Sequence, residues 1–367
     1  MAVSGDLATS GVPASGIVFT GCGMEAAAPA ADSHGHGHDH AGPRRRETVI
    51  NGKRVKTIDI HAHCAVPAAM ALINHPLEAP SLLMTDTSVR LAAMDAQGID
   101  VEALSINPFW YRAERDAAAA LVKVQNETLV EFCAANPDRF VAFATAALQY
   151  PDLAAQQVEH AVKKLGFRGI GVGGSVAGLE LADPKFHPFW AKCEELGVLV
   201  FLHPLGTREL EPSGRLGGSG LLTNTIGNPL ETTIALSHLI FGGVLDAHPR
   251  LKILAAHGGG YLPTYVGRSD HAFAVRPEAA VQLKHKPSEL LKRIWHDTVV
   301  YDAMALRHLI DRVGASQVVV GTDYPFDMGS YAIQQLVADT PCLSAQDRAD
   351  VLGGNAAKLI GWPVGER

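Results

Sequence analysis

The segment TIDIHAHC, residues 57–64, places two imidazoles and a carboxylate inside an apolar, β-branched stretch. Successive side chains of a β-strand point to opposite faces, so a strand here puts Asp59, His61 and His63 on one face. The two isoleucines of the segment then point to the other face. Burying three polar groups together is costly unless they are paired or hold an ion. The segment therefore predicts a strand that carries a functional site.

The composition is that of a globular α/β protein. The chain has 367 residues, 47% hydrophobic and 19% charged, which suits two average domains or one large α/β barrel. Its net charge is −7, and its one basic block is the arginine triplet at 44–46, so we expect no nucleic-acid partner. No apolar run approaches the ~18 residues of a membrane-spanning helix, so we expect no membrane partner.

The first 47 residues differ from the rest of the chain. They are rich in Ala, Gly, Ser and Pro and lack periodicity, which predicts a flexible N-terminal arm before one domain over residues 48–367. Within the arm, HGHGHDH carries His34, His36, His38 and His40. This tract could collect metal ions, but no fold fixes its geometry, and a flexible polar tract is the favoured interpretation.

The cysteines favour a reducing compartment. There are five, they are scattered, and none forms a CxxC pair, so a disulfide framework is not expected. The stretch SGIVFTGC matches a lipoprotein signal poorly, because no Lys or Arg precedes it and its apolar core is short. We expect a cytoplasmic protein, with export left open.

Beyond residue 55, β-type runs alternate with helical patterns. Repeated strand–helix alternation predicts parallel strands joined by right-handed crossovers, and eight units predict a (β/α)8 TIM barrel. A doubly wound open sheet is the alternative, but its first strand usually leads into a nucleotide-binding loop rather than an HxH pair. The predicted helices include two that should stop at Gly98 and Gly197. The predicted strands are residues 57–63, 101–107, 140–148, 169–175, 198–204, 252–260, 299–303 and 318–325.

Polar side chains stand at the predicted carboxyl ends of several strands, where barrel enzymes carry their active sites. Together, histidines and a carboxylate at several strand ends suit one divalent cation, most naturally Zn²⁺, with Mn²⁺, Co²⁺ or Fe²⁺ as options. Asp59, one layer lower, either orients a ligand or is satisfied by backbone or water. The strand-end residues are His61, His63, His203, His257, Asp302 and Asp323.

These motifs resemble the amidohydrolase superfamily, in the branch of aminocarboxymuconate-semialdehyde decarboxylase and γ-resorcylate decarboxylase. The resemblance runs from residue 56 to GGNAAKLIGW and is most specific in DIHAH, VFLHP, HGGGYLPTYVGRSDHAFAVRP and VVVGTDYPFDMG. It implies that His61, His63, His203 and Asp323 bind the metal, with His257 beside it for proton transfer. Binuclear relatives carry a bridging lysine after strand 4, whereas this strand ends GVGGS, so one metal per chain is expected.

Two reaction classes fit such a site. A metal can activate water for hydrolysis of an amide, ester, lactone or C–C bond. It can also hold a substrate for non-oxidative decarboxylation, in which His257 or a protonated Asp323 delivers a proton to carbon. The resemblance favours decarboxylation, and hydrolysis is the alternative. A barrel without catalysis is disfavoured because the full ligand set is present.

The resemblance also indicates how substrate is held. Arg268 lies eleven residues after His257, the offset at which the aminocarboxymuconate enzymes have an arginine that enters the neighbouring subunit's site, so a homodimer is expected. Their second arginine has no counterpart, because the long loop after strand 1 contains no Arg or Lys. We therefore expect a small aromatic or unsaturated carboxylic acid with fewer charges, in contact with Phe109, Trp110 and Phe326. Ordinary loop packing is the alternative for the aromatic residues after strand 2.

Overall fold

Eight parallel strands form a barrel in the computed structural model, which describes residues 17–20, 45–207, 210 and 213–363. Each strand pairs with the next one along the chain. The predicted TIM barrel is confirmed. The strands are β1 (Ile58–His63), β2 (Val101–Ser105), β3 (Phe140–Ala144), β4 (Gly169–Gly173), β5 (Leu199–His203), β6 (Lys252–Ala255), β7 (Trp295–Asp297) and β8 (Val318–Val319).

The barrel closes between β1 and the segment that begins with β8. The Ile60 amide donates to the Val320 carbonyl at 2.9 Å, and the His63 amide donates to the Tyr324 carbonyl at 2.7 Å. Since all strands are parallel, their carboxyl ends meet at one mouth. The chain segments that follow the strands are thereby brought together.

Helices separate the strands and cover the outside of the barrel. The helix Thr87–Gln97 ends at Gly98, and the helix His187–Leu196 ends at Gly197, each glycine having a positive φ, as the sequence predicted. The α-helices are α1 (Pro67–Ala71), α2 (Thr87–Gln97), α3 (Arg115–Ala135), α4 (Pro151–Leu165), α5 (His187–Leu196), α6 (Asn228–Phe241), α7 (Val244–Ala247), α8 (Leu262–Val275), α9 (Pro277–Ala280), α10 (Pro287–Leu291), α11 (Ala303–Val313), α12 (Ile333–Asp339), α13 (Ala345–Ala349) and α14 (Asn355–Ile360).

The seventh strand lies earlier than the sequence predicted. We expected it to begin at Val299, but β7 is Trp295–Asp297. The strand carries buried polar residues, His296 and Asp297, so its sequence does not look apolar. The apolar pair at 299–300 belongs instead to the turn into α11. Periodicity misplaced the strand because the polar residues face the interior.

Strands six and eight are shorter than predicted, because the chain turns sharply at the predicted site residues His257 and Asp323. After β6 the backbone of His257 and Gly258 adopts φ values of 55° and 62°. After β8 the same left-handed conformation occurs at Asp323, with φ 59°. Such conformations end a regular ladder, and in non-glycine residues they are uncommon outside turns and functional sites.

The alternation predicted for β1 is interrupted. Ile58 and Ile60 pack inside the barrel in one cluster with Leu199 and Phe201, and the register of β1 against β2 shifts between Asp59 and Ala62. An irregularity of this kind adds a residue to one strand and re-aims its side chains. The prediction that the two isoleucines face away from the histidines was therefore wrong. The irregularity turns the His61 side chain into the barrel as well.

Two layers of apolar side chains hold the barrel together. One lies inside it and includes Phe143, Phe201 and Val319, with Leu359 and Ile360 of α14 closing the end opposite the mouth. The other fills the space between strands and outer helices. The mouth is therefore the polar end of the barrel interior.

A small antiparallel sheet precedes the barrel. Its strands are Ile17–Thr20, Glu47–Ile50 and Lys53–Val55. The predicted boundary between residues 47 and 48 falls within the second of them. The HGHGHDH tract lies outside the described residues. In the part of the chain that is described, no helix combines the length and apolar character needed to cross a bilayer.

Candidate metal centre

Four histidines and one aspartate converge at the mouth of the barrel. His61 Nε2 and His63 Nε2 are 3.0 Å apart. Asp323 Oδ1 lies 2.9 Å from His63 Nε2 and 3.2 Å from His61 Nε2. The His203 ring centroid is 4.6 Å from that of His63. On the opposite side, His257 Nε2 lies 3.4 Å from Asp323 Oδ2. The structure thus brings together all five residues that the resemblance implied.

The donor atoms fit a divalent cation. One atom from each of His61, His203, His257 and Asp323 falls within 4.8 Å of the others. His203 is 6% exposed, yet neither of its ring nitrogens has a hydrogen-bond partner among the described residues. Leaving such buried atoms unpaired costs roughly 1–3 kcal/mol, and an ion that accepts the lone pair of one ring nitrogen would satisfy that atom. Imidazole nitrogen and carboxylate oxygen are ligands that Zn²⁺ and its neighbours bind.

The end of the neighbouring strand β4 is closely packed. It ends at Gly173, and a Cβ on the next residue, Gly174, would lie 2.7 Å from Glu231 Cγ. A lysine at this point would displace its neighbours. The geometry agrees with a centre for one ion.

The electrostatics favour a positive charge between two carboxylates. Burial lowers the pKa of His61, but Asp323 and Asp297 outweigh burial and raise that pKa to about 10. Burial lowers the pKa of His63 to about 4 despite Asp323, and burial with the adjacent histidines lowers the pKa of His203 well below its usual value. Burial raises the pKa of Asp323, but the histidines hold it well below its usual range. His63 and His203 are thus neutral and Asp323 is ionised, the protonation states that bind a metal, and His61 has to release its proton when the ion binds.

Asp297 is the carboxylate of strand seven at this centre, and sequence analysis placed that carboxylate at Asp302. Asp297 Oδ2 accepts a hydrogen bond from His61 Nδ1 at 2.6 Å. Asp302 instead caps α11, accepting from the amides of Met304 and Ala305 at 3.0 and 2.9 Å. The polar run HDT at 296–298 was a signal for the true strand end, but the apolar pair after it outweighed that signal.

A buried ion pair holds the main chain of one candidate ligand, His63, and contacts the residue next to another. Arg90 Nε donates to Glu102 Oε1 at 2.9 Å, and Arg90 Nη1 donates to the His63 carbonyl at 2.7 Å. The same guanidinium lies 4.9 Å from the ring centroid of Tyr324, which follows Asp323. This pair connects β1 with the segment after β8 beneath the mouth.

Asp59 contacts the backbone rather than an imidazole. Its Oδ1 accepts from the amides of His61 at 3.0 Å and Thr322 at 3.1 Å. Burial raises the pKa of Asp59 to about 7, with Glu102 adding to the rise. Of the two roles considered for Asp59, the structure shows the satisfied buried carboxyl.

Two cavities open at the centre. One of about 260 Å³ lies over His203 and Asp323, and one of about 380 Å³ reaches His257. Both are lined by Asn224, Asn228 and Met328, so they adjoin. Together they offer room for a small aromatic acid on either side of the ligand cluster.

Two of the predicted aromatic residues line the smaller cavity and one does not. Phe326 lies 5.1 Å from the His63 ring, between centroids, and Phe109 stacks on His75 at 4.3 Å. Trp110 is fully buried, its Nε1–H donates to the Ala146 carbonyl at 2.9 Å, and it lines neither cavity. For Trp110 the loop-packing alternative describes what the structure shows.

Arg268 lies away from both cavities of its own chain. It sits on α8 and is exposed to solvent. Any contact between Arg268 and a site of this kind would therefore have to be made in another subunit.

Several residues around the cavities were not identified from sequence. They lie on loops or at helix starts, where no periodicity marks the inward face, and their polar types are common on protein surfaces. They are His75, Glu78, Asn107, Asn224 and Asn228.

Comparison with known proteins agrees with this geometry. A family model described as amidohydrolase matches residues 58–362. A 2-amino-3-carboxymuconate-6-semialdehyde decarboxylase of Dictyostelium discoideum is 32% identical over 307 residues, covering 83% of this chain and 84% of the relative. A γ-resorcylate decarboxylase of Rhizobium radiobacter is 33% identical over 289 residues, covering 76% of this chain and 88% of the relative.

A solved structure has the same fold and a metal. The dihydroxybenzoic acid decarboxylase of a Polaromonas species, with bound manganese and the inhibitor 2-nitroresorcinol, superposes with a TM-score of 0.71 at 27% identity. The match covers 84% of this chain and 97% of that one.

Proposed function

This chain belongs to the amidohydrolase family, and from that premise we propose that it is a metal-dependent, non-oxidative decarboxylase of a small aromatic or unsaturated carboxylic acid. The observation that carries the proposal is the convergence of His61, His203, His257 and Asp323 at the barrel mouth, with His63 Nε2 2.9 Å from Asp323 Oδ1. Its similarity to decarboxylases over most of their length supports the reaction class.

We assign the metal to His61, His63, His203 and Asp323, one divalent ion per chain. Zn²⁺ suits the ligand set, and the manganese of the Polaromonas relative makes Mn²⁺ the main competitor. Metal analysis of the purified protein should find about one ion per chain. His61→Ala and His203→Ala should each empty the site, and full occupancy in both would remove these residues from the ligand set.

When bound, the ion supplies Lewis acidity that fixes the substrate's polar groups. Phe109 and Phe326 hold the ring in the cavity, where their apolar faces exclude water. His257 holds a proton at Nε2, 3.4 Å from Asp323 Oδ2, and delivers it to the carbon that loses CO₂. The C–C bonding pair stays on that carbon and becomes the new C–H bond. The substrate itself must accept the electron pair transiently, so a hydroxy-arene or an enal-type acid is expected.

The cavities indicate a substrate with a single carboxylate. Among the described residues that line them, none is Arg or Lys, whereas Glu78 and Asp327 are acidic. A second carboxylate on the ring would meet these acids without a cation in the same chain. Aromatic monocarboxylates with a hydroxyl group should be turned over faster than the matched dicarboxylates. Equal kcat/KM for both would contradict this assignment.

We also propose a homodimer in which Arg268 reaches the site of the partner. The exposed face of α8 that carries Arg268 also carries Tyr265 and Val275, which are 65% and 53% exposed. Exposed apolar side chains around a cation are typical of a subunit interface. Mixing an Arg268→Ala chain with a His257→Asn chain should restore some activity, because one site then has both residues. No rescue, together with a monomeric mass in solution, would count against a shared site.

The thiols favour a cytoplasmic location. The described cysteines Cys64, Cys133, Cys193 and Cys342 are all free. Free thiols persist in reducing compartments. Fractionation of the native host should place the protein with cytoplasmic markers, and recovery with exported proteins would contradict this.

The reaction is tested by isotopes. Turnover in D₂O should release CO₂ and place one deuterium on the carbon that carried it. A product that gains oxygen from ¹⁸O-labelled water without CO₂ release would make the enzyme a hydrolase.

A further inference from the structure

Asp297 occupies an unusual position among the buried acids of this centre. It is 0% exposed and receives four hydrogen bonds, two on each oxygen. Oδ2 accepts from His61 Nδ1 at 2.6 Å and from the His257 amide at 3.0 Å. Oδ1 accepts from the Gly258 amide at 2.9 Å and from the Val299 amide at 3.1 Å. One carboxylate thus contacts both sides of the centre.

The backbone after β6 is shaped around this carboxylate. His257 and Gly258 have φ values of 55° and 62°, which turns their two successive amides towards the same point. Successive amides in such a turn form a concave site for an anion. A non-glycine residue held at positive φ costs free energy, so His257 needs an anchor to stay there. Asp297 supplies that anchor through the main chain, while the imidazole of His257 lines the cavity.

The same oxygen also sets the tautomer of His61. Because Asp297 Oδ2 accepts at Nδ1, the proton of a neutral His61 sits there and the lone pair sits on Nε2, facing the other ligands. The packing is tight at this point. A Cβ on Gly321 would lie 2.8 Å from Asp297 Cβ and 2.9 Å from His61 Cβ. Only glycine at 321 allows the two side chains to meet.

We propose that Asp297 is a positioning residue that couples the two halves of the centre, orienting His61 for the metal and fixing the main chain of His257 for proton transfer. The inference rests on the metal site of the proposed function. It predicts that one substitution at Asp297 weakens metal binding and proton delivery together. Asp323 also contacts His61 and His257, but it does so at their Nε2 atoms, whereas Asp297 holds the Nδ1 side of His61 and the main-chain amide of His257.

The test compares Asp297→Asn with Asp302→Asn. Each substitution removes one negative charge, at the end of β7 or at the start of α11. Asn at 302 can still cap the helix. Asn at 297 turns an amide NH₂ towards two of the four donors. Metal-free protein is titrated with Co²⁺, followed by visible absorption, and kcat and KM are measured after loading.

Asp297→Asn should raise the Co²⁺ dissociation constant about 10–100-fold and lower kcat more than it raises KM. Asp302→Asn should have the same Co²⁺ affinity, kcat and KM as the unsubstituted protein. Metal affinity equal to that of Asp302→Asn would overturn the proposal. The Co²⁺ titration needs no substrate, so it tests Asp297 even if the assigned reaction fails.

A second measurement decides the matter if Asp297→Asn does not fold. ¹⁵N-histidine NMR of the unsubstituted, metal-loaded protein should show His61 protonated at Nδ1, assigned by the signal's loss in His61→Gln. Protonation of His61 at Nε2 would overturn the proposal.

Discussion

At the level of single residues, His257 is held by its backbone while its side chain faces the cavity. Its amide donates to Asp297, and it lines the 380 Å³ cavity. His257→Asn should retain the metal and lower kcat by roughly 10²–10⁴, the contribution of one general acid. Asn tolerates the positive φ of this position, so the fold should survive.

Metal content and kcat check this prediction, with His160→Asn on the exposed face of α4 as control. Loss of metal together with activity would make His257 a ligand instead, a role for which one of its ring nitrogens lies close enough to the other donor atoms.

Gly321 is the second residue on which the centre depends. A methyl group there would press between Asp297 and His61, and overpacking of this kind costs about 1–3 kcal/mol. Gly321→Ala should lower both the melting temperature and the metal affinity. Gly171→Ala on β4 is the matched control, because its Cβ would come no closer than 3.8 Å to Ile106 O. Equal metal affinity in the two variants would contradict the steric argument.

At the level of elements, sequence patterns located most strands but failed where polar residues face inward. Repeated alternation predicted the barrel, and the HxH, HP, HGGG and TD motifs predicted four of its functional strand ends. Strand β7 was misplaced because His296 and Asp297 break its apolar pattern. The irregularity of β1 between Asp59 and Ala62 was equally hidden, since register depends on the neighbouring strand. Cavity residues on loops were missed because their approach depends on tertiary packing.

The corrected role of Asp302 gives a prediction for α11. Its side chain caps the helix through two amides, and removing such a cap costs about 0.5–2 kcal/mol. Asp302→Ala should lower the free energy of unfolding by that amount in urea denaturation, with metal content and kcat unchanged. A loss of metal in Asp302→Ala would show that Asp302 contributes to the metal centre after all.

At the level of the whole molecule, burial protects most described thiols. Burial raises the pKa values of Cys64 and Cys133 to about 12, and burial raises that of Cys193 as well. Cys342 is exposed. Because the thiolate is the reactive form, alkylation of the native protein at pH 8 should modify Cys342 much faster than these three.

Peptide mapping by mass spectrometry measures the modification, and concentrated urea should make all four react. Rapid modification of Cys64 in the native protein would show that the mouth opens widely.

The closure of the barrel joins residues that are far apart in the chain. Asp59 and Thr322, which pair beneath the centre, are 263 residues apart. During translation at about 5–20 residues per second, the ribosome needs roughly 13–50 s to make the stretch between them. The histidines of β1 are therefore synthesised long before Asp323, and they lack this ligand while most of the barrel is made. Tight metal capture becomes a late event of biogenesis, and a nascent chain stopped before residue 323 should be recovered without the ion.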